Sequence, residues 1–146
     1  MGQQQLLLVI LVTIIVGIAT VVAINIFGSS AEQANQDAVR QDMITMAAQA
    51  QAWYARPAML GGGERDYQGD AAATPQIPGV SFAIVGFPCD GDNTGCINQN
   101  GEFSITAVTP DGFTLIGRPN TGDGSGFSLA VTGSSTNYTW GAVGAN

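Results

Sequence analysis

The sequence predicts an α+β protein in which one long N-terminal helix packs on a C-terminal antiparallel β-sheet. Three observations carry this expectation. The first 31 of the 146 residues hold no charged side chain, and no Pro precedes Pro57. Apolar residues then recur at helical spacing from Val39 to Tyr54. Beyond Pro57, 17 of the 20 Gly and 5 of the 6 Pro divide the chain into short runs rich in Val, Ile, Phe and Thr. The expected divisions are an apolar helix (1–28), its amphipathic continuation (29–56), a Gly/Pro-rich connection (57–79) and a sheet domain (80–146).

Leu6 to Ile24 is a run of 19 residues interrupted only by Thr13, Gly17 and Thr20. As a helix it spans roughly 28 Å, the thickness of a bilayer's hydrocarbon core. A cleaved secretory signal has a basic start, a shorter apolar core and an Ala-x-Ala-like site, none of which is present, so the segment reads as retained. Leu6, Leu7, Leu8, Ile10, Ile14, Ile15, Ile18 and Val22 are its candidate contacts with lipid or with neighbouring helices. No Lys or Arg lies within 15 residues of either end, so the charge that orients an ordinary anchor is missing. Abundant β-branched residues suit packing between helices as well as lipid. Gln3, Gln4 and Gln5 cap the run, either as a polar cap at the membrane surface or through neutral hydrogen bonds between adjacent N-termini.

From Ala31 to Tyr54 the chain changes character without a helix breaker. Val39, Met43, Met46, Ala50 and Trp53, widened by Ala47 and Tyr54, form one apolar face. Glu32, Gln36, Asp37, Arg40, Gln41 and Gln51 fall mostly off it. Pro57 disfavours helical geometry in the residue before it, which ends the helix near Arg56. A helix continuous over both segments is roughly 80 Å long, with Gly28-Ser29-Ser30 its expected bend or melted turn. Trp53 and Tyr54 are expected beneath the sheet as core.

The connection from Met59 to Pro78 contains a triple Gly. Strand-type runs follow at Val80–Phe87, Glu102–Thr109, Phe113–Arg118, Phe127–Thr132 and Tyr138–Val143. Alternation in Phe103-Ser104-Ile105-Thr106 predicts one buried and one wet face. Pro110-Asp111-Gly112 predicts a hairpin turn, with Pro presetting a dihedral and Gly accepting positive φ.

The chain carries 4 Arg, no Lys, no His and 11 acidic residues, a net charge of −7. That balance argues against nucleic-acid binding, which needs cations to displace counterions from phosphate. Lacking His, Lys, a nucleophile motif and a phosphate loop, the sequence points away from an enzyme. Cys89 and Cys96 have neither His nor a second pair for zinc and no CxxC spacing. A disulfide closing an eight-residue loop is their natural reading beside a membrane-directed N-terminus. Asp90-x-Asp92-x-Thr94-Gly95 partly matches a calcium loop, though Gly101 stands where its twelfth-position acid belongs. Asn120 and Asp123 lie in a second oxygen-rich loop. Calcium is the one cofactor these residues suggest, with solvated turns as the alternative. Asn137-Tyr138-Thr139 is an N-glycosylation sequon.

This organisation resembles the type IV pilins and the related pseudopilins. Phe103-Ser104-Ile105-Thr106-Ala107-Val108-Thr109-Pro110, followed by Gly112-Phe113-Thr114-Leu115, resembles the strand–turn–strand of pilin sheets. Gly2 before Gln3 resembles the family's processing site, which follows a short basic leader ending in Gly. The chain departs from the pattern at the fifth mature residue, usually Glu. Cleavage after Gly2 makes that residue Leu7, and a mature start at Met1 makes it Gln5. The family's Glu-to-amine pairing between subunits is therefore absent, as in a divergent bacterial or an archaeal-type member. The resemblance implies a structural subunit of an extracellular filament that polymerises through its apolar helix. Its partners would be copies of itself, the membrane before assembly and the pilus assembly machinery, with the C-terminal domain outside the cytoplasm. The alternative is a non-polymerising, membrane-anchored extracytoplasmic protein, such as a minor pseudopilin or a tethered binding domain.

Overall fold

The computed structural model describes residues 2–74, 76–87, 95–135 and 138–144. Helix α1 (Gly2–Tyr54) is followed by a 3₁₀ turn (Ala58–Leu60), a one-turn helix α2 (Phe82–Val85) and five strands. These are β1 (Cys96–Ile97), β2 (Gly101–Thr109), β3 (Gly112–Pro119), β4 (Gly126–Thr132) and β5 (Thr139–Val143). They form one antiparallel sheet in the order β1-β2-β3-β4-β5. The chain divides into two compact units, Met1–Ala34 and Asn35–Asn146.

Helical geometry runs through Gly28-Ser29-Ser30, so the melted turn does not form there. No Pro interrupts the segment, and the Ser29 hydroxyl folds back on the Ile26 carbonyl at 3.1 Å. In the second unit, Val39, Met43, Met46, Ala47, Ala50, Trp53 and Tyr54 are the buried residues of the helix, the face that the periodicity predicts. They meet Phe103, Ile105, Phe113, Leu115, Leu129 and Val131, which are buried on β2, β3 and β4. Each such side chain removed from water contributes about 1.5–3 kcal/mol. The close approach is made at Gly117, where a Cβ would come 2.7 Å from Met43 Sδ and 2.9 Å from Val39 Cγ1.

Three details depart from expectation. Val80–Phe87 is not a strand. Ser81 accepts the Ile84 N–H at 3.3 Å, Phe82–Val85 makes one helical turn, and Gly86 ends it in the left-handed region at φ 71°. This run is apolar without alternation, and a local N-cap and C-cap decide its form. Gly112 closes the β2–β3 hairpin but is not among the residues with positive φ. Its lack of a side chain is needed because a Cβ there would collide with the Val131 carbonyl oxygen. The left-handed residue of the hairpin is Ala107, at φ 48°, inside a bulge between Thr106 and Thr109.

The connection after the helix is built, not loose. Glu64 and Arg65 take φ of 49° and 67°, which turns their N–H groups onto the Arg56 and Tyr54 carbonyls at 3.0 and 2.9 Å. Gly63 N–H donates to the Trp53 carbonyl at 3.0 Å. These bonds satisfy carbonyls that a helix end otherwise leaves open. Tyr67 is fully buried, stacks on Tyr54 at 4.4 Å and meets Phe113 edge-on at 5.0 Å.

Candidate interaction surfaces

The first unit presents one feature, its apolar helix surface. Sixteen large side chains from Leu6 to Phe27 are exposed, among them Leu6 at 63% and Phe27 at 75%. All eight candidate contacts from Leu6 to Val22 lie on this surface. Its polar side chains close on their own backbone: Thr13 Oγ1 donates to the Ile10 carbonyl and Thr20 Oγ1 to that of Val16, each at 2.8 Å. Hydroxyls bonded this way need no water, so the helix could enter an apolar phase without stranding them. By length and composition this helix is apolar enough to cross a membrane, as a long N-terminal anchor could. Gln3, Gln4 and Gln5 are exposed in its first turns.

In the second unit, a polar clasp ties α1 to the turns at 98–100 and 120–121. Asp42 Oδ2 accepts from Asn98 Nδ2 at 3.0 Å and from Asn100 Nδ2 at 2.8 Å. Asn35 Nδ2 donates to the Asn100 carbonyl at 2.9 Å, and Thr121 Oγ1 donates to Asn35 Oδ1 at 2.9 Å. Asn98 Oδ1 accepts the N–H groups of Asn100 and Gly101 at 2.8 and 2.9 Å. The sequence carries no local signal for this cluster, because Asn35 and Asp42 find their partners 56 or more positions away.

Asn120 belongs to the same clasp. Its Nδ2 donates to the carbonyls of Gln99 at 3.1 Å and Asn98 at 3.4 Å. Asp123 sits apart in its own turn, where Oδ1 accepts the Ser125 N–H at 2.9 Å. That backbone bond is the main cause holding its carboxyl below the usual range. Among the described residues, no group of three or more His, Cys, Asp or Glu could hold a metal ion. The expected calcium residues Asp90, Asp92 and Thr94, together with Cys89 and the sequon residue Asn137, lie outside the described residues. Cys96, the first residue of β1, is fully buried.

Buried Tyr67 donates its hydroxyl to the Gly133 carbonyl at 2.7 Å. Burial, helped by neighbouring Tyr54 and Tyr138, pushes its ionisation well above the ordinary tyrosine range. This neutral phenol is a tie between the connection and the β4–β5 turn. Gln51 makes a parallel tie, donating to the Ser135 carbonyl at 2.6 Å and accepting from the Tyr138 hydroxyl at 3.1 Å.

Two apolar features stand on the outside of the second unit. A groove of about 550 Å³ runs between α1 and β5, lined by Arg40, Ile44, Phe127, Trp140, Gly141 and Ala142. The Arg40 guanidinium lies 4.2 Å from the Phe127 ring centroid, a cation–π contact. Elsewhere, Met59 and Leu60 of the 3₁₀ turn are largely exposed. Comparison with protein-family models, with curated proteins and with solved structures finds no match to this chain in any of the three.

Proposed function

We propose that this chain is a structural subunit of an extracellular, type IV pilus-like filament, held in a membrane as a precursor and polymerising through its apolar N-terminal helix. The observation that supports this reading most is one helix with two kinds of apolar surface. From Val39 onward the surface is buried by the chain's own sheet, and from Leu6 to Phe27 it is open. Sixteen exposed side chains at about 1.5–3 kcal/mol each amount to tens of kcal/mol if left in water. Lipid covers this surface before assembly, and helices of other copies cover it afterwards, so the surface never meets water. The acidic sheet unit faces the medium and keeps filaments apart by like charge, with Cys89 and Cys96 joined in an oxidising compartment.

Electron microscopy of the full chain and of a chain lacking residues 1–27 tests the proposal. The full chain is expected to yield filaments, and the truncated chain a soluble monomer. Filaments formed by the truncated chain overturn it. The absent N-terminal acid favours one other reading, a membrane-anchored protein that does not polymerise. Full-length chain that stays dispersed in membranes under assembly conditions would establish that reading.

A further inference from the structure

The polar clasp on α1 encloses a reactive dipeptide, and we propose that Asn100-Gly101 is a latent deamidation site held closed by Asp42 and Asn98. It is the single Asn-Gly pair of the sequence. A following Gly has no Cβ to shield its backbone nitrogen or restrict its approach, which makes Asn-Gly the asparagine setting most prone to cyclise. The reaction needs only the chain and water. The Gly101 nitrogen bonds to Asn100 Cγ, the Cγ–Nδ2 bond breaks, and the Gly101 amide proton leaves with Nδ2 as ammonia. Water then opens the cyclic imide at either carbonyl, giving aspartate or isoaspartate.

The fold requires both members of the pair. A Cβ on residue 101, the first of β2, would collide with the Arg118 carbonyl oxygen and stand 3.1 Å from Val39 Cγ2, so only Gly fits there. Asn100 is the hub of the clasp. Its carbonyl accepts from Asn35 Nδ2 at 2.9 Å and from the Asn120 N–H at 3.2 Å, while its Nδ2 donates to Asp42 Oδ2 at 2.8 Å. Close packing and the clasp together thus impose a chemically vulnerable sequence.

The same bonds occupy the reacting groups. The nucleophile's proton is committed to Asn98 Oδ1 at 2.9 Å, and the leaving amide to Asp42 at 2.8 Å. Asn98 is anchored in turn, with its Nδ2 on Asp42 and its N–H on the Gly101 carbonyl, each at 3.0 Å. Pairing of Gly101 with Pro119 holds the backbone in the sheet. Cyclisation requires these bonds to be released together, so it proceeds from a locally open state. Once it has run, closure is lost. The new carboxylate stands where the amide donated, against the Asp42 carboxylate, and like charges that close repel. Deamidation therefore turns a tie between α1 and the 98–100 turn into a repulsion.

Peptide mass mapping of the full chain in detergent micelles, kept in warm, mildly alkaline buffer, reads amide-to-acid exchange at Asn100. Folded wild-type chain is expected to react about tenfold or more slowly than the same chain unfolded in urea, and Asp42→Ala to remove most of that difference. Asp42→Asn keeps the shape with a weaker, uncharged acceptor and should fall between the two. Cooperative thermal unfolding identifies which variants are folded when assayed, and Asp42→Asn decides the outcome if Asp42→Ala is not. Asn100→Asp, the direct product, should lower the unfolding midpoint by several degrees, and Gln99→Glu, the same charge change on the exposed neighbour, by less. Equal rates in folded and urea-unfolded wild-type chain overturn the proposal, as does a folded Asp42 variant that reacts no faster than wild type. A midpoint lowered equally by Asn100→Asp and Gln99→Glu overturns the loss of closure.

Discussion

Residues 2–34 and 35–54 lie in the same helix, yet their apolar side chains have opposite environments. In the later segment seven residues are buried under a five-stranded sheet. In the earlier one every large apolar side chain is exposed. The difference is one of pattern, since apolar residues on all sides of a helix cannot be satisfied by one sheet. The amphipathic segment finishes its burial within the chain and therefore carries folding stability. The uniformly apolar segment finds no such partner within its own unit, and on the filament reading proposed above it carries location and assembly.

Matched truncations probe that division most strongly. Phe103→Ala, removing a fully buried ring, is expected to lower stability by about 3–5 kcal/mol in urea unfolding. Ile14→Ala, in the exposed helix, should leave the same transition within about 0.5 kcal/mol. A large loss from Ile14→Ala would mean that the first segment supports the sheet unit and would collapse the distinction. Next in size is Gly117→Val, which forces a side chain against Met43 and Val39. A cost of about 1–3 kcal/mol is expected from overpacking, with Met43→Ala in the same chain recovering part of it.

The polar clasp gives a smaller effect. Asp42→Ala leaves the Asn98 and Asn100 amides without their shared acceptor, at a cost of about 1–3 kcal/mol. Asp37→Ala, which removes a surface contact with Arg40 at 3.5 Å, should change stability by less than about 1 kcal/mol. Smallest in the physiological range is the pH response. The raised ionisation of Tyr67 means that its contribution is whole below about pH 10 and is lost as pH rises further, because only the unfolded phenol ionises there. Tyr67→Phe should flatten that alkaline loss. Asp123 acts in the opposite direction: its lowered carboxyl stabilises above the ordinary carboxylate range and ceases to do so as pH falls below about 4. Its full exposure keeps this contribution small.

Much of this was legible in the residues themselves. The seven-residue helix face, the strands around Phe103, Phe113 and Leu129, and the hairpin at Pro110-Asp111 follow from periodicities of 3.6 and 2 and from turn chemistry. Val80–Phe87 was misread because a short apolar run has no period to distinguish strand from helix, and Ser81 and Gly86 cap it locally. Tyr67 looked like part of a structureless connection. Its burial depends on Tyr54, Phe113 and Gly133, none adjacent in sequence. The interaction surfaces divide the same way: the open helix is visible as a charge-free run, whereas the groove and the exposed 3₁₀ turn are not.

The sequence alone determined which helix segment can bury itself and which cannot, because a side chain's polarity and its place in a helical period are local properties. Tertiary structure decided the rest. The Asp42 clasp joins residues 56 and 58 positions apart, and the groove joins α1 to the last strand. Such neighbours are set by chain closure and packing shape, and no local pattern encodes them.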